Sequence, residues 1–366
     1  MADDLPPLEA EIRRLIAVAG PMPISQYMAT CLTHPQHGYY MTRDPFGAAG
    51  DFITAPEISQ MFGELIGLWA AAVWRQMGAP ENFHLIELGP GRGTMMMDAL
   101  RAAQVVPAFR RAITAHLVEI SPALQQMQRQ TLGQIDVPAH WHSALHEVPD
   151  GPAIILANEF FDALPVHQAI KQNDGWHERV VVIDGNGNLS LGLRSDPLPH
   201  FERVVPEKLR KAPVDSIYEW RADAVALEIG RRARAGSAAL VIDYGHVHSD
   251  VGDTVQAVGG HSFADPLLAP GLVDLTAHVD FQSVAQAVES MGARVFGPVE
   301  QGAFLRRLGI ETRAATLKTN APAEKAGEID AAVDRLTGSG ARKMGVLFKV
   351  MAAADPKLGT LPGFES

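Results

Sequence analysis

The chain has 366 residues, 47% of them hydrophobic, a formal net charge of -11 and one cysteine, Cys31. That length and apolar share can bury a large core, as two domains or as one domain with sizeable additions. The acidic balance repels nucleic acid and anionic membrane, so neither is an expected partner, and one cysteine excludes an intrachain disulfide framework or a Cys-based zinc cluster.

The opening stretch, MADDLPPLEAEIRR, is acidic and has no apolar h-region, so it does not read as a signal peptide. Cysteine usage fits a reducing cytoplasm. Leu8, Ile12, Leu15 and Ile16 recur at helical spacing, and Pro21 and Pro23 close that helix. Ser25 reads as the N-cap of a short helix through Leu32, followed by a turn at His34–Gly38. Residues 47–54 look like a loop. Thr54 and Glu57 form a capping box with Pro56 in the first turn. Ile58, Met61, Phe62, Leu65 and Trp69 then predict one helix to about Met77. The apolar run from Leu65 to Trp74 is too short to cross a bilayer. Residues 1–80 are read as an N-terminal helical cap.

From 83 onward strands and helices alternate. Strands are expected at Phe83–Leu88, Ala115–Glu119, Ala139–Trp141 and Ala153–Ala157, with helices at Thr94–Ala103 and Pro122–Thr131. This rhythm predicts an α/β fold with a mostly parallel sheet covered on both faces. After Leu164 the pattern changes. Val166–Lys171, Trp176–Ile183 and Leu189–Leu193 are strand-like and separated by Asn-Asp-Gly and Asp-Gly-Asn-Gly turns, so an antiparallel insertion is expected over about 166–213. A helix is predicted from about Asp215 to Arg234, a strand at Ala239–Tyr244, a helix at Phe281–Met291 and an amphipathic helix over 322–337. A last strand is expected at Gly345–Met351. The main domain is placed at 81–352, and 353–366 is read as a loose tail.

Chemistry concentrates at Glu87-Leu88-Gly89-Pro90-Gly91-Arg92-Gly93, between a strand and a helix. Gly89, Gly91 and Gly93 remove three Cβ atoms where backbone must turn and approach a ligand. Open parallel sheets bind ligands at this end, and the next helix offers unpaired N–H groups to an anion. The dinucleotide pattern G-x-G-x-x-G is not met, because position 94 is Thr. Alternate glycines with an acid two residues earlier match the S-adenosylmethionine version. Glu119, ending the second strand, is expected to accept hydrogen bonds from both ribose hydroxyls. Glu87 is placed near the cofactor's ammonium group. Trp141 ends the third strand, where it either stacks on adenine or is plain core.

After the fourth strand come Asn158-Glu159-Phe160-Phe161-Asp162. One reading is a helix cap by Asn158 or Asp162 with a salt bridge at Glu159. The other is catalytic: Glu159 and Asp162, with Asn158, grip a cationic substrate such as a guanidinium, whose planar fork fits carboxylates. Asp243 and Tyr244 are candidates to face the same cleft. The pairs His34/His37 and His246/His248 are read as exposed or hydrogen-bonded histidines, and Met95–Met97 as helix packing, so no metal is expected.

With these residues in hand, the chain resembles the MidA-like S-adenosylmethionine-dependent methyltransferases, a family that includes a mitochondrial complex I assembly factor that methylates protein arginine. The resemblance runs from Ile24 to Ile310, through ISQYMATCLTHPQHGYY, GDFITAPEISQMFGELIG, ELGPGRGTMMMDALR, VEISPALQQMQ, ANEFFDALPV, VIDYGH, GLVDLTAHVDF and QGAFLRRLGI. It implies a class I methyltransferase (Rossmann-like) fold and methylation of an exposed arginine on a protein partner, with an NADH dehydrogenase subunit as the family's known target. It implies that Gly89, Gly91 and Gly93 serve the cofactor, that Glu119 holds the ribose and that Thr54 and its neighbours close over it. A bacterial cytoplasmic member is expected. Two other readings stand beside this one: a cofactor-binding assembly protein with little catalysis, and a nicotinamide oxidoreductase.

Overall fold

The strands of the main domain are apolar enough to be covered on both sides, and the structure, a computed structural model that describes residues 5–42, 54–259, 262–319, 321–340 and 343–365, covers them. The loop expected at 47–53, including Gly50–Ile53 of the GDFITAPE block, lies outside the described residues. The principal strands are β1 (Phe83–Leu88), β2 (Ile113–Val118), β3 (Ala139–His142), β4 (Ala153–Asn158), β5 (Val166–Gln172), β6 (Gly175–Ile183), β7 (Leu189–Leu193), β8 (Ile217–Arg221), β9 (Ala238–His246), β10 (Arg294–Glu300) and β11 (Phe348–Ala354).

The central sheet runs β10-β11-β9-β4-β1-β2-β3. Its β3-β2-β1-β4-β9 part is parallel, and β11 lies antiparallel to both β9 and β10. This is the expected α/β, Rossmann-like arrangement. Successive side chains point to opposite faces. Leu85, Ile154 and Leu240 enter one core with Phe62, Trp69 and Phe304. Ile86, Ile155 and Val241 enter the other with Ile229, Phe281 and Val288. Every residue of β4 is buried, which suits the middle of a doubly covered sheet.

The predicted helix through 54–77 is two helices, Ala55–Ile58 and Gln60–Gln76. Ser59 is extended between them (φ -163°), and its hydroxyl accepts from the Met61 amide at 3.2 Å, which makes Ser59 the N-cap of the long helix. The capping box at Thr54 does not form. Glu57 instead accepts from the Thr94 hydroxyl at 2.5 Å, so its carboxylate serves the glycine loop rather than its own helix.

Residues 1–80 do not act as one cap. Pro7–Ala19 and Ile24–Thr33 pack with Val166, Val181 and Leu275 in a separate core. Gln60–Gln76 belongs to the central sheet, because its apolar stripe faces Leu85 and Ile154. The antiparallel insertion is present and extends past 213. β5 pairs with β6 and β8, and β7 pairs with β6. The helix expected from Asp215 thus begins only at Ala224. Ile217, Tyr218 and Trp220 favour a strand, and Tyr218 packs edge-on against Trp176 and Phe201. A three-stranded sheet of 256–259, 262–264 and 274–276 was not expected. The last strand is shifted to 348–354, and the tail is pinned rather than loose. Leu361 is fully buried, Phe364 packs on Phe296 and Phe304, and the Trp69 indole N–H donates to the Pro362 carbonyl at 3.0 Å. Among the described residues no helix is long and apolar enough to cross a membrane.

The helix Gln60–Gln76 crosses the helix Thr94–Ala102 at two glycines. A Cβ on Gly63 would lie 2.6 Å from Asp98 Cβ, and one on Gly67 would lie 2.6 Å from Ala99 Cα. The second neighbour is backbone and cannot rotate away. Gly67→Ala is therefore expected to destabilise the protein by about 1–3 kcal/mol through overpacking. Urea unfolding of the variant reads this as a lower midpoint with an unchanged slope, and an unchanged midpoint would show that the helices can separate at no cost.

Candidate functional site

The glycine loop has the backbone that its sequence demands. Gly89, Gly91 and Gly93 have φ of 58°, 53° and 81°, values that side chains beyond glycine rarely adopt. A Cβ on Gly89 would lie 2.8 Å from Phe160 Cδ2. Gly93 is the N-cap of the helix Thr94–Ala102 and offers no side chain to its first amides. The helix Pro122–Leu132 holds the loop from behind. Gln128, fully buried, donates to the Gly91 carbonyl at 2.8 Å and to Glu119 Oε2 at 3.3 Å, and the Thr131 hydroxyl donates to the Arg92 carbonyl at 2.9 Å.

In front of the loop lies a cavity of about 600 Å³. Its lining includes five carboxylates, Glu119, Glu159, Asp162, Glu228 and Asp274, and no lysine or arginine among the described residues. Glu119 stands on the wall beside Gly89 and Gly91. Its Oε1 accepts from the Ser121 amide at 2.8 Å, which leaves further lone pairs for a ligand's hydroxyls. Burial raises its carboxyl to about 7, against the pull of Ser121 and Gln128. Trp141 does not line the cavity. Its indole N–H donates to Gln128 Oε1 at 2.9 Å, and the Arg129 guanidinium covers its face at 3.9 Å. The ring thus supports Gln128. The loop after β3, from Ser143 to His146, lines the cavity in its place.

A second recess of about 40 Å³ shares Thr54, Gly89, Gly91 and Glu159 with the large cavity and adds Glu87, Arg92 and Asn158. Glu87 Oε2 and Asn158 Oδ1 are buried here without a hydrogen-bond partner. Desolvation pushes the Glu87 carboxyl up to about 8, with the Met96 amide opposing. Two orphaned acceptors beside a half-exposed guanidinium and a helix N-terminus fit an amino-acid head group, ammonium on Glu87 and carboxylate toward Arg92 and Thr94. The recess and the large cavity together thus suit a nucleoside carrying an amino-acid tail.

The loop after β4 closes the other side. Glu159 has a φ of 49°, in the left-handed region. Its amide donates to the Ile242 carbonyl at 2.9 Å, and its Oε1 accepts from the Ala55 amide at 2.9 Å and from Asn158 Nδ2 at 3.2 Å. Burial raises its carboxyl to about 7, and the Asp162 charge adds to the rise. Asp162 is buried, with Oδ1 unpartnered and the Tyr244 hydroxyl hydrogen-bonded to its carboxyl. Burial raises this carboxyl too, while Tyr244 and Arg221 oppose.

Asp243, fully buried in the second half of β9, sets this loop. Its Oδ2 accepts from the amides of Phe160, Phe161 and Asp162 at 3.1, 2.9 and 3.2 Å, and its Oδ1 from Tyr244 at 2.9 Å. Arg221 ties the loop to residues 277–278. Its guanidinium donates to the carbonyls of Leu164, Ala277 and His278 at 3.1, 2.6 and 2.8 Å.

The structure brings together Thr54, Gly89, Gly91, Glu119, Glu159 and Asp162 on the large cavity and Glu87 and Asn158 on the recess, and it leaves Trp141 behind the wall. Sequence reasoning named Tyr244 and Asp243 as facing the cleft; Tyr244 does, whereas Asp243 works from beneath. It missed Tyr40, Asp274, Thr276 and Arg92. The first three lie in the GYY and GLVDLTAH segments, which carried the resemblance but no assigned role. His34 is hydrogen-bonded to Glu11 at 3.1 Å and stacked on His37, and among the described residues no group of three or more His, Cys, Asp or Glu is placed to hold a metal.

Residues 65–299 match the model of a family described as S-adenosyl-L-methionine-dependent methyltransferases. The protein arginine methyltransferase NDUFAF7 homolog, mitochondrial, of Drosophila melanogaster is 40% identical over 375 residues, which span 94% of this chain and 84% of that protein. The human protein arginine methyltransferase NDUFAF7, mitochondrial, is 37% identical over 86% of this chain and 77% of its own length. A Burkholderia thailandensis crystal structure bound to S-adenosyl-homocysteine superposes with a TM-score of 0.84 at 29% identity, covering 98% of this chain and 94% of that one. These relatives are methyltransferases, and the nicotinamide alternative has no counterpart among them. The chain belongs to the MidA-like family of S-adenosyl-L-methionine-dependent methyltransferases.

Proposed function

We propose that this enzyme methylates an arginine side chain on a protein partner, a respiratory NADH dehydrogenase subunit being the favoured target. The observation that carries this reading is the large cavity, whose lining among the described residues includes the carboxyls of Glu119, Glu159, Asp162 and Asp274 and, besides His146, no basic side chain. A guanidinium entering it meets the carboxyls of Glu159 and Asp162, whose ionisation it favours, whereas an anionic acceptor finds no cation there to pair with among the described residues. The names of the relatives support the same acceptor. An acidic protein suits a basic stretch on its partner. Buried, unpaired Cys31 fits the reducing bacterial cytoplasm expected for it.

Bound S-adenosylmethionine supplies an electrophilic methyl group on a sulfonium. This chain's own residues hold and orient the reactants. Glu119 takes the ribose hydroxyls, Glu87 the ammonium, and Thr54 closes the junction of recess and cavity. Asp162 and Glu159, with Asn158 fixing Glu159, draw the guanidinium charge to one side and leave one nitrogen aimed along the transfer line. That nitrogen gains a carbon and loses a proton. Glu159, whose carboxyl titrates near 7, receives it.

Incubation with isotopically labelled cofactor and bacterial lysate is expected to label arginine, mapped by mass spectrometry. Gly91→Val, which forces a β-branched residue to a φ of 53°, is expected to weaken S-adenosylhomocysteine binding by about tenfold or more and to abolish the label. Label on another residue type overturns the arginine reading, and a partner phenotype that survives Gly91→Val favours assembly without catalysis. Glu159→Gln is expected to keep cofactor affinity and to lower turnover by about a hundredfold; full turnover in the variant would remove Glu159 from the chemistry.

Glu87 also sets a pH dependence. Its carboxyl titrates near 8 in the protein, and an ammonium ligand demands the ionised form. Binding therefore expels a proton, and affinity for S-adenosylhomocysteine rises by up to about tenfold per pH unit between roughly pH 6 and 7.5. The ligand-free protein has the opposite sign. A carboxyl whose folded-state pKa is raised binds more protons folded than unfolded, so stability declines as pH climbs toward 8. Isothermal titrations of Glu87→Gln should show a shallower profile, with the remaining slope from Glu119; the full wild-type slope in that variant would refute the assignment.

A further inference from the structure

The helix Pro122–Leu132 buries Leu124, Gln128 and Leu132 at four-residue spacing. The middle position of that stripe calls for an apolar side chain, yet it holds a fully buried glutamine. A buried amide is costly unless its hydrogen bonds are made. Here both ends of it are engaged. Nε2 donates to the Gly91 carbonyl at 2.8 Å and to Glu119 Oε2 at 3.3 Å, and Oε1 accepts from the Trp141 indole at 2.9 Å. Gly91 follows β1, Glu119 follows β2 and Trp141 lies in β3, so one side chain ties together three neighbouring strands at their cofactor-facing ends.

The chemistry of these partners leaves the amide one orientation. An indole N–H only donates, so it faces Oε1, and a carbonyl only accepts, so it faces Nε2. The second Nε2 hydrogen is thereby directed at Glu119. The Arg129 guanidinium lies over the Trp141 ring at 3.9 Å and holds the ring in place. On the other side, Glu119 Oε1 accepts from the Ser121 amide at 2.8 Å. Each oxygen of Glu119 thus receives a donor from the protein, and the two donors set the plane of a carboxylate that lines the large cavity. Burial raises this carboxyl, and the Gln128 N–H favours its ionised form, which accepts hydrogen bonds and donates none.

We infer that Gln128, oriented by Trp141, holds the Glu119 carboxylate for the cofactor's ribose hydroxyls and thereby sets the site's preference for a nucleoside that carries both. The inference rests on the assignment of the ribose to Glu119. Gln128 and Trp141 are positioning residues: neither lines the cavity, and both act through Glu119. Without Trp141 the amide loses the donor that fixes its orientation and can turn its oxygen toward Glu119, where two acceptors repel. Without the amide, Glu119 loses one of the donors that set its plane. In both cases the binding energy lost is the part that depends on the ribose hydroxyls.

The test compares, by isothermal titration of the full-length protein, S-adenosylhomocysteine with its dideoxy analogue, which lacks both ribose hydroxyls. Wild type is expected to bind S-adenosylhomocysteine about a hundredfold more tightly than the analogue. Gln128→Met keeps the length and volume of the side chain but has no N–H to donate, and the affinity ratio should fall by about tenfold. Trp141→Phe keeps an aromatic ring beneath Arg129 and removes only the N–H, and the ratio should fall by about threefold. The ratio is the readout because loosening of the Gly91 carbonyl, or of the fold, weakens both ligands alike. A wild-type ratio in the folded variants overturns the inference and leaves Glu119 as the ribose acceptor. Wild-type protein that binds both ligands equally overturns the ribose assignment, and the inference with it. If Gln128→Met does not fold, Trp141→Phe carries the test, and an unchanged ratio there is decisive against the inference.

Discussion

Three consecutive amides, those of Phe160, Phe161 and Asp162, converge on one oxygen of Asp243. Burial, then the nearby Asp162 and Glu159, raise this carboxyl well above its ordinary value, and the amides of Asp162 and Tyr244 oppose the rise. The three converging amides fix the path of the chain after β4. The strand cannot run on, so it turns at Glu159 into a left-handed conformation worth about 1–3 kcal/mol of strain. With the turn fixed, Glu159 meets the Ala55 amide, Phe160 lies against Gly89, and Asp162 lines the cavity. Arg221 completes the frame by gathering carbonyls from both sides, so the Asp243 carboxyl collects donors and the guanidinium collects acceptors around one loop.

This frame explains how so many carboxyls share one cavity. Burial raises Glu87, Glu119, Glu159 and Asp162 alike. In the ligand-free protein, protons relieve the repulsion among them. A cofactor with a sulfonium and an ammonium would replace such protons with fixed charge. The recess beside the glycine loop and the large cavity in front of it are continuous through Thr54, Gly89, Gly91 and Glu159, so these raised carboxyls lie around one connected space.

Most of the central sheet was legible because its strands are short apolar runs bounded by turn signals. The glycine loop was legible because only glycine tolerates its backbone angles. The elements misread share a different cause. Ile217–Arg221 looked like the start of a helix because its pairing partner, β5, lies some fifty residues earlier. The tail looked loose because its Pro and Gly residues say nothing about Trp69 and Phe304, the side chains that hold it. Trp141 stood in the expected strand, yet Gln128 claimed its indole. Tyr40 and Asp274 are 234 residues apart, and no local pattern announces that they touch. Local chemistry was readable, whereas sites assembled from distant segments needed coordinates.

The row order β10-β11-β9 places the final strand of the chain inside the sheet rather than at its rim. During vectorial synthesis, β9 and β10 leave the ribosome with a vacant lane between them, and neither can satisfy its inward backbone groups until residues 348–354 emerge. The nascent enzyme therefore stays incomplete along that seam, and Trp69 awaits the carbonyl of Pro362. A chain stalled or clipped near its end is not a slightly shortened enzyme but an open sheet with two raw edges, a ready target for quality control.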